Sequence, residues 1–365
     1  MNKQISARKI SEGDFLTLKE EWNQLLSNSN SDHLFLSWDW LFAWWMIWRN
    51  KIHKAELFVI LVYENAELIG IAPFYKDVRV IKKLLFIERI QFLGTAYQSI
   101  ATIRTEYLSI IARPDREDLV YRQIIEFLED AKWDELVFKD VIKHDAVYKK
   151  FFLENNSFPL VRQVGADFGY KINTYEHDFG TFLRDLGKNT RLKLFNRRQR
   201  LADAGKINLE YYGSEHKLEM FSLLNDFHCK RWGVACFSTE SINFHSKVID
   251  ALELNDCFSI LKLNGDSVSI LYNITIGNRV YNVQSGYVEN AYKDVSFGTL
   301  HLGYELERCF SNTAIKYFDL LAGLGKNSDY KKSFNGERIE FISFQVVKTR
   351  WLCLLYKIKD FISNN

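Results

Sequence analysis

Two hydrophobic periods alternate along this chain. Phe15, Leu18, Trp22, Leu25 and Leu26 recur at helical spacing and predict a helix over 14–26, after a short strand over 5–10. Ser37 is placed to cap a second helix over 38–49, WDWLFAWWMIWR. That helix is apolar nearly all round, which predicts burial between elements. A helix lying on a membrane surface or a partner is the alternative reading. Strands over 57–63 and 68–75 flank the polar turn 64–67 and form a hairpin. Further strands are expected over 82–94 and 105–111, then a helix over 118–132, a strand over 133–139 and a short helix over 146–154. Strands over 157–164 and 167–172 lead to a domain junction near 170.

The second half restarts the pattern. A short helix over 178–186 precedes a basic helix over 189–204 and a strand over 207–212. Helices over 216–232 and 242–254 follow. A hairpin over 258–263 and 267–276 turns at Asn264-Gly265-Asp266. Residues 280–285 alternate as a strand. Ser296-Phe297-Gly298-Thr299 then opens a helix carrying Leu300, Tyr304, Leu306 and Phe310, and a strand over 316–320 closes the unit with Asp319. Gly323 and Gly325 break it before Tyr330, Lys331 and Lys332.

This order occurs twice. Residues 57–75 match 258–276 in shape, and 118–140 match 299–320. Two copies of one α/β unit, each with a mixed sheet, are the simplest architecture, with domains over 1–170 and 171–365. The copies differ at one place. The second has the small-residue turn Ser296 to Thr299 before its helix; the first has Arg113-Pro114-Asp115-Arg116. A small-residue helix start exposes backbone N–H groups at the positive end of the dipole, which suits a pyrophosphate or carboxylate. An ordinary helix cap is the other reading; if one copy binds an anionic cofactor, it should be the second.

Composition narrows the class. The 365 residues are 47% hydrophobic and 26% charged, ordinary for a globular protein, with only 3 prolines. A net charge of +2 gives no general attraction to nucleic acid, so no DNA partner is expected. The 5 cysteines are odd in number and lack a CxxC pair, which reads as reduced thiols in a cytoplasmic protein. No run of about 18 apolar residues predicts a membrane span, and the first residues show no apolar signal core. No His or Cys cluster has ligand spacing, so no metal is implied.

Five segments carry a resemblance: FLSWDWLFAWW (35–45), TRLKLFNRRQRL (190–201), FHCKRWG (227–233), GYVENAYKDVSFGTL (286–300) and FDLLAGLGKNSDYKK (318–332). Together they resemble the GNAT acyltransferase superfamily. The likeness is greatest to its tandem branch of CelD-like, cellulose-biosynthesis acetyltransferases, related in fold to the Fem-type peptidyltransferases. The resemblance implies a tandem GNAT-like fold whose first domain is degenerate. It implies acetyl-CoA or another acyl-CoA as co-substrate and an amine or hydroxyl acceptor on a sugar or polysaccharide precursor. Two parallel strands would splay to admit the pantetheine arm, and the pyrophosphate would face the helix start. Val283, Ser285, Ser296, Phe297, Gly298 and Thr299 would then bind the donor. The acceptor would add directly to the thioester carbonyl, with backbone N–H groups stabilising the oxyanion.

Other residues could serve the acceptor and the proton. Lys188, Arg191, Lys193, Arg197, Arg198 and Arg200 stand together with no acid from 188 to 200. They suit a phosphorylated acceptor or a tRNA, with Arg191 and Arg197 foremost; a solvated helix face is the other reading. His228, Arg231 and Trp232 share a helix, with His228 and Arg231 neighbours at i, i+3. His228 is suited to take the acceptor's proton, or is a structural histidine bonded to a backbone carbonyl. Asp319 is the second candidate base, or hydrogen-bonds the turn after it. Lys331 would bind a phosphate or pair with Asp319. Tyr287, Tyr292 and Tyr330 are candidate acids for the departing thiolate. Two further functions stay open: a Fem-like aminoacyl-tRNA-dependent transferase, and an inactive pair acting as a scaffold. The scaffold would dock a polysaccharide-synthesis complex through the aromatic helix.

Overall fold

The structure is a computed structural model describing residues 4–289, 292, 294–323 and 329–363. The chain divides into two compact units, Met1–Asp167 with Glu340–Asn365, and Phe168–Ile339. The sequence reading had placed 340–365 in the second domain. The strand Glu337–Val347 explains the difference: its residues 341–347 pair antiparallel with Glu135–Ile142 of the first unit.

The first unit holds two sheets. Ile5–Lys9, Ile60–Glu64, Glu67–Ala72 and Ile111–Ala112 form a four-stranded antiparallel sheet. The predicted hairpin is there, with Asn65 in the left-handed region (φ 58°) that its turn requires. Glu56–Leu57, Phe74–Ile81, Leu85–Phe92, Glu135–Ile142 and the end of Glu337–Val347 form the second sheet in that order. Leu85–Phe92 and Glu135–Ile142 run parallel, joined through the helix Glu117–Asp130.

The aromatic helix is Trp38–Trp48, and the Ser37 hydroxyl accepts from the Trp40 backbone N–H as predicted. Trp40, Trp44 and Trp45 are at most 1% exposed, and Trp40 Nε1 donates to Thr105 Oγ1 at 3.0 Å. A docking role for this helix is thereby corrected: its rings are core. The strand expected over 105–111 shrinks to Ile111–Ala112, and the long strand over 82–94 begins only at Leu85.

The second unit is a six-stranded sheet. Its order is Ile207–Tyr212, Phe258–Leu263, Asp266–Ile276, Arg279–Tyr287, Tyr317–Ala322, then residues 168–173 of Leu160–Asn173. Neighbours are antiparallel except Arg279–Tyr287 with Tyr317–Ala322. Strand alternation sends Leu271 to one face and Tyr272 to the other. Leu271 joins Leu302, Leu306 and Leu194 in a core under the helix Phe297–Ser311. Tyr272 packs on Phe221 and His245 from the helices Lys217–Trp232 and Thr239–Ala251. The sheet is therefore covered on both faces.

The basic segment is not one helix. It runs as Lys188–Arg191, a π-turn over Leu192–Asn196, and Arg198–Ala204. The wide turn closes with Arg197 N–H donating to Leu192 O, five residues back. It packs on Phe297–Ser311 at Gly303, where an added Cβ would stand 2.0 Å from the Leu194 carbonyl oxygen.

Candidate active site

The site begins where two parallel strands part. Arg279–Tyr287 pairs with Tyr317–Ala322 only at Arg279 with Tyr317, Val280 with Phe318, and Tyr281 with Asp319. On its other side, Arg279–Tyr287 continues its antiparallel ladder to Tyr287. That ladder slips between Tyr272 and Asn273: Tyr272 faces Gln284 and Asn273 faces Asn282, leaving Val283 as an extra residue. A bulge of this kind bends its strand and increases the local twist, which carries 282–287 away from Leu320. The partner strand bends as well. Leu321 sits at φ 55°, held by its N–H donating to Asp319 Oδ1 at 2.8 Å.

The parting opens a cavity of about 460 Å³. Asn282, Val283, Gln284, Ser285 and Tyr287 form one wall, Leu320 and Lys331 the other. Ser296, Gly298, Thr299 and Leu302 from the helix start close one end, and His228, Arg231 and Tyr330 line the rest. No side chain caps the helix Phe297–Ser311; the Ser296 hydroxyl instead meets the Thr299 hydroxyl at 3.1 Å. The first-turn N–H groups thus lie beside two hydroxyls at the cavity edge, an arrangement suited to an anion. A Cβ on Gly298 would meet the Tyr287 ring at 2.5 Å, so glycine lets that ring lie against the helix start.

His228 lines the cavity and is bonded to a backbone carbonyl. Its Nε2 lies 3.1 Å from the Ser285 carbonyl, which can only accept, so Nε2 carries the hydrogen. The neutral ring then keeps its lone pair on Nδ1. Burial holds the His228 pKa below its usual value; the Ser285 bond opposes this and the nearby Arg231 adds to it. The ring is therefore a neutral base at neutral pH. Arg231 lies 4.5 Å over the Tyr287 ring and 4.6 Å over Trp232, and its Nε pairs with Glu289. Burial raises the Tyr287 pKa, and burial pushes Tyr330 up to about 12, so both phenols stay protonated at neutral pH. Lys331 Nζ donates to the Leu320 and Leu321 carbonyls at 2.7 and 3.0 Å, tying the cavity wall to the strand end.

Residues 188–332 match the family described as acetyltransferase (GNAT) domain. That segment is a GNAT domain. The splayed strands, bulge and open helix start lie inside the matched span. Across its whole length the chain is similar in fold to three solved structures. The crystal structure of FemX is 13% identical and superposes with a TM-score of 0.61, covering 96% of this chain and 99% of that one. A conserved protein of unknown function from Bacteroides thetaiotaomicron VPI-5482 is 12% identical, with a TM-score of 0.53 over 94% and 100%. The C-terminal DUF2156 domain of a putative lysylphosphatidylglycerol synthetase from Agrobacterium fabrum is 8% identical, with a TM-score of 0.51 over 95% and 97%. No curated protein matches the chain.

Most residues singled out from the sequence meet in this cavity: Val283, Ser285, Tyr287, Ser296, Gly298, Thr299, His228, Arg231 and Lys331. Tyr330 lines it as well, whereas Tyr292, 37% exposed, and the cations of the basic segment do not. Nor do Phe297, Trp232 and Asp319. The Phe297 side chain is 1% exposed in a core with Leu201, Leu261 and Leu300, so only its backbone stands at the helix start. Trp232 is 51% exposed beneath Arg231. Arg191 and Arg197 lie half-buried on the basic segment. Asp319 is fully buried, accepts from Leu321 N–H, and has Arg279 at 3.9 Å. That bond holds the strand bend at Leu321. Asn282, Gln284 and Leu320 were not picked out in advance; the alternation of 280–285 does not show which side chains an extra residue turns inward. Among the described residues, no group of three His, Cys, Asp or Glu is placed to hold a metal ion.

Proposed function

We propose that the cavity takes the pantetheine arm and pyrophosphate of an acyl-CoA, acetyl-CoA foremost. The acyl group would go to an amine or hydroxyl on a sugar or polysaccharide precursor. The observation that carries this is the parting of 282–287 from Leu320 beside an uncapped helix start. Unpaired strand-edge groups suit the amides of an extended arm, and the first-turn N–H groups with the Ser296 and Thr299 hydroxyls suit its phosphates. The thioester is the chemistry such a donor supplies. This chain's part is to orient the donor, exclude water and move protons. His228 takes the acceptor's proton on Nδ1 while the Ser285 carbonyl holds the ring by Nε2. Tyr287 or Tyr330, each kept protonated by burial, gives a proton to the departing thiolate. Exposed Lys188 and Lys193 with Arg191 and Arg197 supply an acceptor-side surface for a phosphorylated sugar. A cytoplasmic acyl-CoA pool fits this reading.

Thermal unfolding with acetyl-CoA tests it. A donor at 100 times its Kd stabilises by about 2.7 kcal/mol, so a rise in Tm is expected. No shift at millimolar donor overturns the reading. A second function, transfer from an aminoacyl-tRNA, is favoured by the fold likeness to FemX and the basic segment. It predicts salt-sensitive tRNA binding that charge reversal at Lys188 and Lys193 removes.

A further inference from the structure

The helix Arg350–Ser363 of the first unit is apolar on two faces. Leu352, Cys353 and Tyr356 are buried against Ile87 and Val347, with Ile81 and Leu160 packed beside them. The outer face carries Trp351, Leu354, Leu355, Ile358, Phe361 and Ile362 at helical spacing, exposed by 41 to 71%. Ile81 and Ile87 belong to the two strands of a hairpin whose tip repeats this character. There Lys82 and Lys83 are exposed, and so are Leu84 at 80% and Phe86 at 58%. Because Ile81 and Ile87 pack on the helix, the tip stands beside it. Single exposed apolar residues are ordinary, but a contiguous stripe with an adjoining apolar loop marks an interaction surface.

Charge decides what covers it. Exposed Lys82, Lys83, Arg350 and Lys357 border the apolar side chains. Residues 78–87 hold no acid, and Asp360 on the helix is paired with Arg162. A second copy joined by two-fold symmetry would set this patch against itself and bring cation to cation. An anionic bilayer supplies what is lacking: acyl chains for the stripe and negative head groups for the lysines, whose stems reach outward along the apolar surface. We propose that this face is a peripheral lipid-binding surface, on which Arg350–Ser363 lies in the membrane interface and the Lys82–Phe86 tip inserts beside it. The helix lies on the bilayer and does not cross it; among the described residues no helix is long and apolar enough to span.

The test is co-sedimentation of the full chain with vesicles of phosphatidylcholine alone, or with about a third phosphatidylglycerol. Binding to the anionic vesicles is expected, weaker by roughly tenfold or more on phosphatidylcholine alone or at high salt. Leu354→Glu with Phe361→Glu should abolish binding, and Lys82→Glu with Lys83→Glu should remove the preference for anionic lipid. All four positions are exposed, so unchanged thermal unfolding verifies the fold. Failure to sediment with anionic vesicles overturns the proposal. So does a wild-type dimer by light scattering that the Leu354 and Phe361 changes convert to monomer, which would assign the face to a second copy. Unchanged lipid binding in both double variants overturns it as well.

Discussion

The ring of Tyr287 lies against Gly298, and a β-carbon built on that glycine would meet the ring at 2.5 Å. One wall of the cavity thus depends on the absence of one atom group at the helix start. Gly298→Ala is expected to push the Tyr287 ring from beneath Arg231 and into the donor's space. Overpacking of this kind costs about 1–3 kcal/mol. The larger effect should fall on binding: acetyl-CoA should no longer raise the Tm, while circular dichroism stays native. A donor-induced shift equal to wild type would show that the ring has room to turn aside.

His228 should set the acid limb of the pH profile. Burial lowers its folded pKa, so kcat/KM should be flat near neutrality and fall as pH drops through a value below 6.5. His228→Ala should lower kcat by about 10²–10⁴ and flatten that limb. A merely structural histidine would leave the limb in place, and steady-state rates from pH 5 to 8 separate the two.

The two hairpins were legible because Asn65 and Asn264-Gly265 sit where a tight turn needs positive φ, flanked by alternating residues. The helix starts at Ser37 and Ser296 were legible for a like reason, though only Ser37 bonds as a cap. What escaped depends on partners distant in sequence. The sequence predicts two short strands over 157–164 and 167–172, yet Leu160–Asn173 is one strand. The Val283 bulge, which opens the site, exists only relative to Tyr272 and Asn273. Asp319 stood at the right strand end for a base, but alternation turned it from the cavity and Leu320 into it. The basic segment read as one smooth helix because the approach of Leu194 to Gly303 has no local signature.

That approach gives a sharp stability prediction. The atom facing Gly303 is a backbone oxygen at 2.0 Å, which cannot rotate away. Gly303→Ala should separate the π-turn from the helix and cost at the upper end of overpacking, about 3 kcal/mol. Gly187→Ala is the control, because an added Cβ there meets nothing within 4 Å. Urea midpoints should fall for the first and hold for the second.

Acid should destabilise the fold through two buried histidines. His301 lies between the Ser259 and Ser269 hydroxyls at 3.1 and 3.0 Å, and His245 stands among Phe237, Phe244 and Tyr272. Burial lowers each to about 3. Between about pH 6.5 and 3 the unfolded chain binds the extra proton, so each histidine removes about 1.4 kcal/mol per pH unit as pH falls. Asp145, raised by burial to about 6, acts in the opposite sense between about pH 6 and 4. The histidine part is isolated by His245→Phe, whose urea midpoint should fall less steeply from pH 6.5 to 5 than that of wild type. Parallel curves would mean that His245 is already charged in the fold.

Asp319 separates a base from a bend. Its Oδ1 accepts from Leu321 N–H, which holds Leu321 at φ 55°, a conformation unfavourable for a branched side chain. Asp319→Asn keeps that acceptor and loses only the charge facing Arg279 at 3.9 Å. It should lower stability by about 1–3 kcal/mol and leave kcat/KM within about threefold of wild type. Asp319→Ala removes the acceptor too, freeing Leu321 to relax toward an ordinary strand conformation. The carbonyls of Leu320 and Leu321 would then leave Lys331, and the wall opposite Val283 would shift. Activity should fall with stability in the alanine variant and only stability in the asparagine one. A stable asparagine variant that has lost activity would return Asp319 to the chemistry, because Asn matches its shape and hydrogen bond but cannot take a proton.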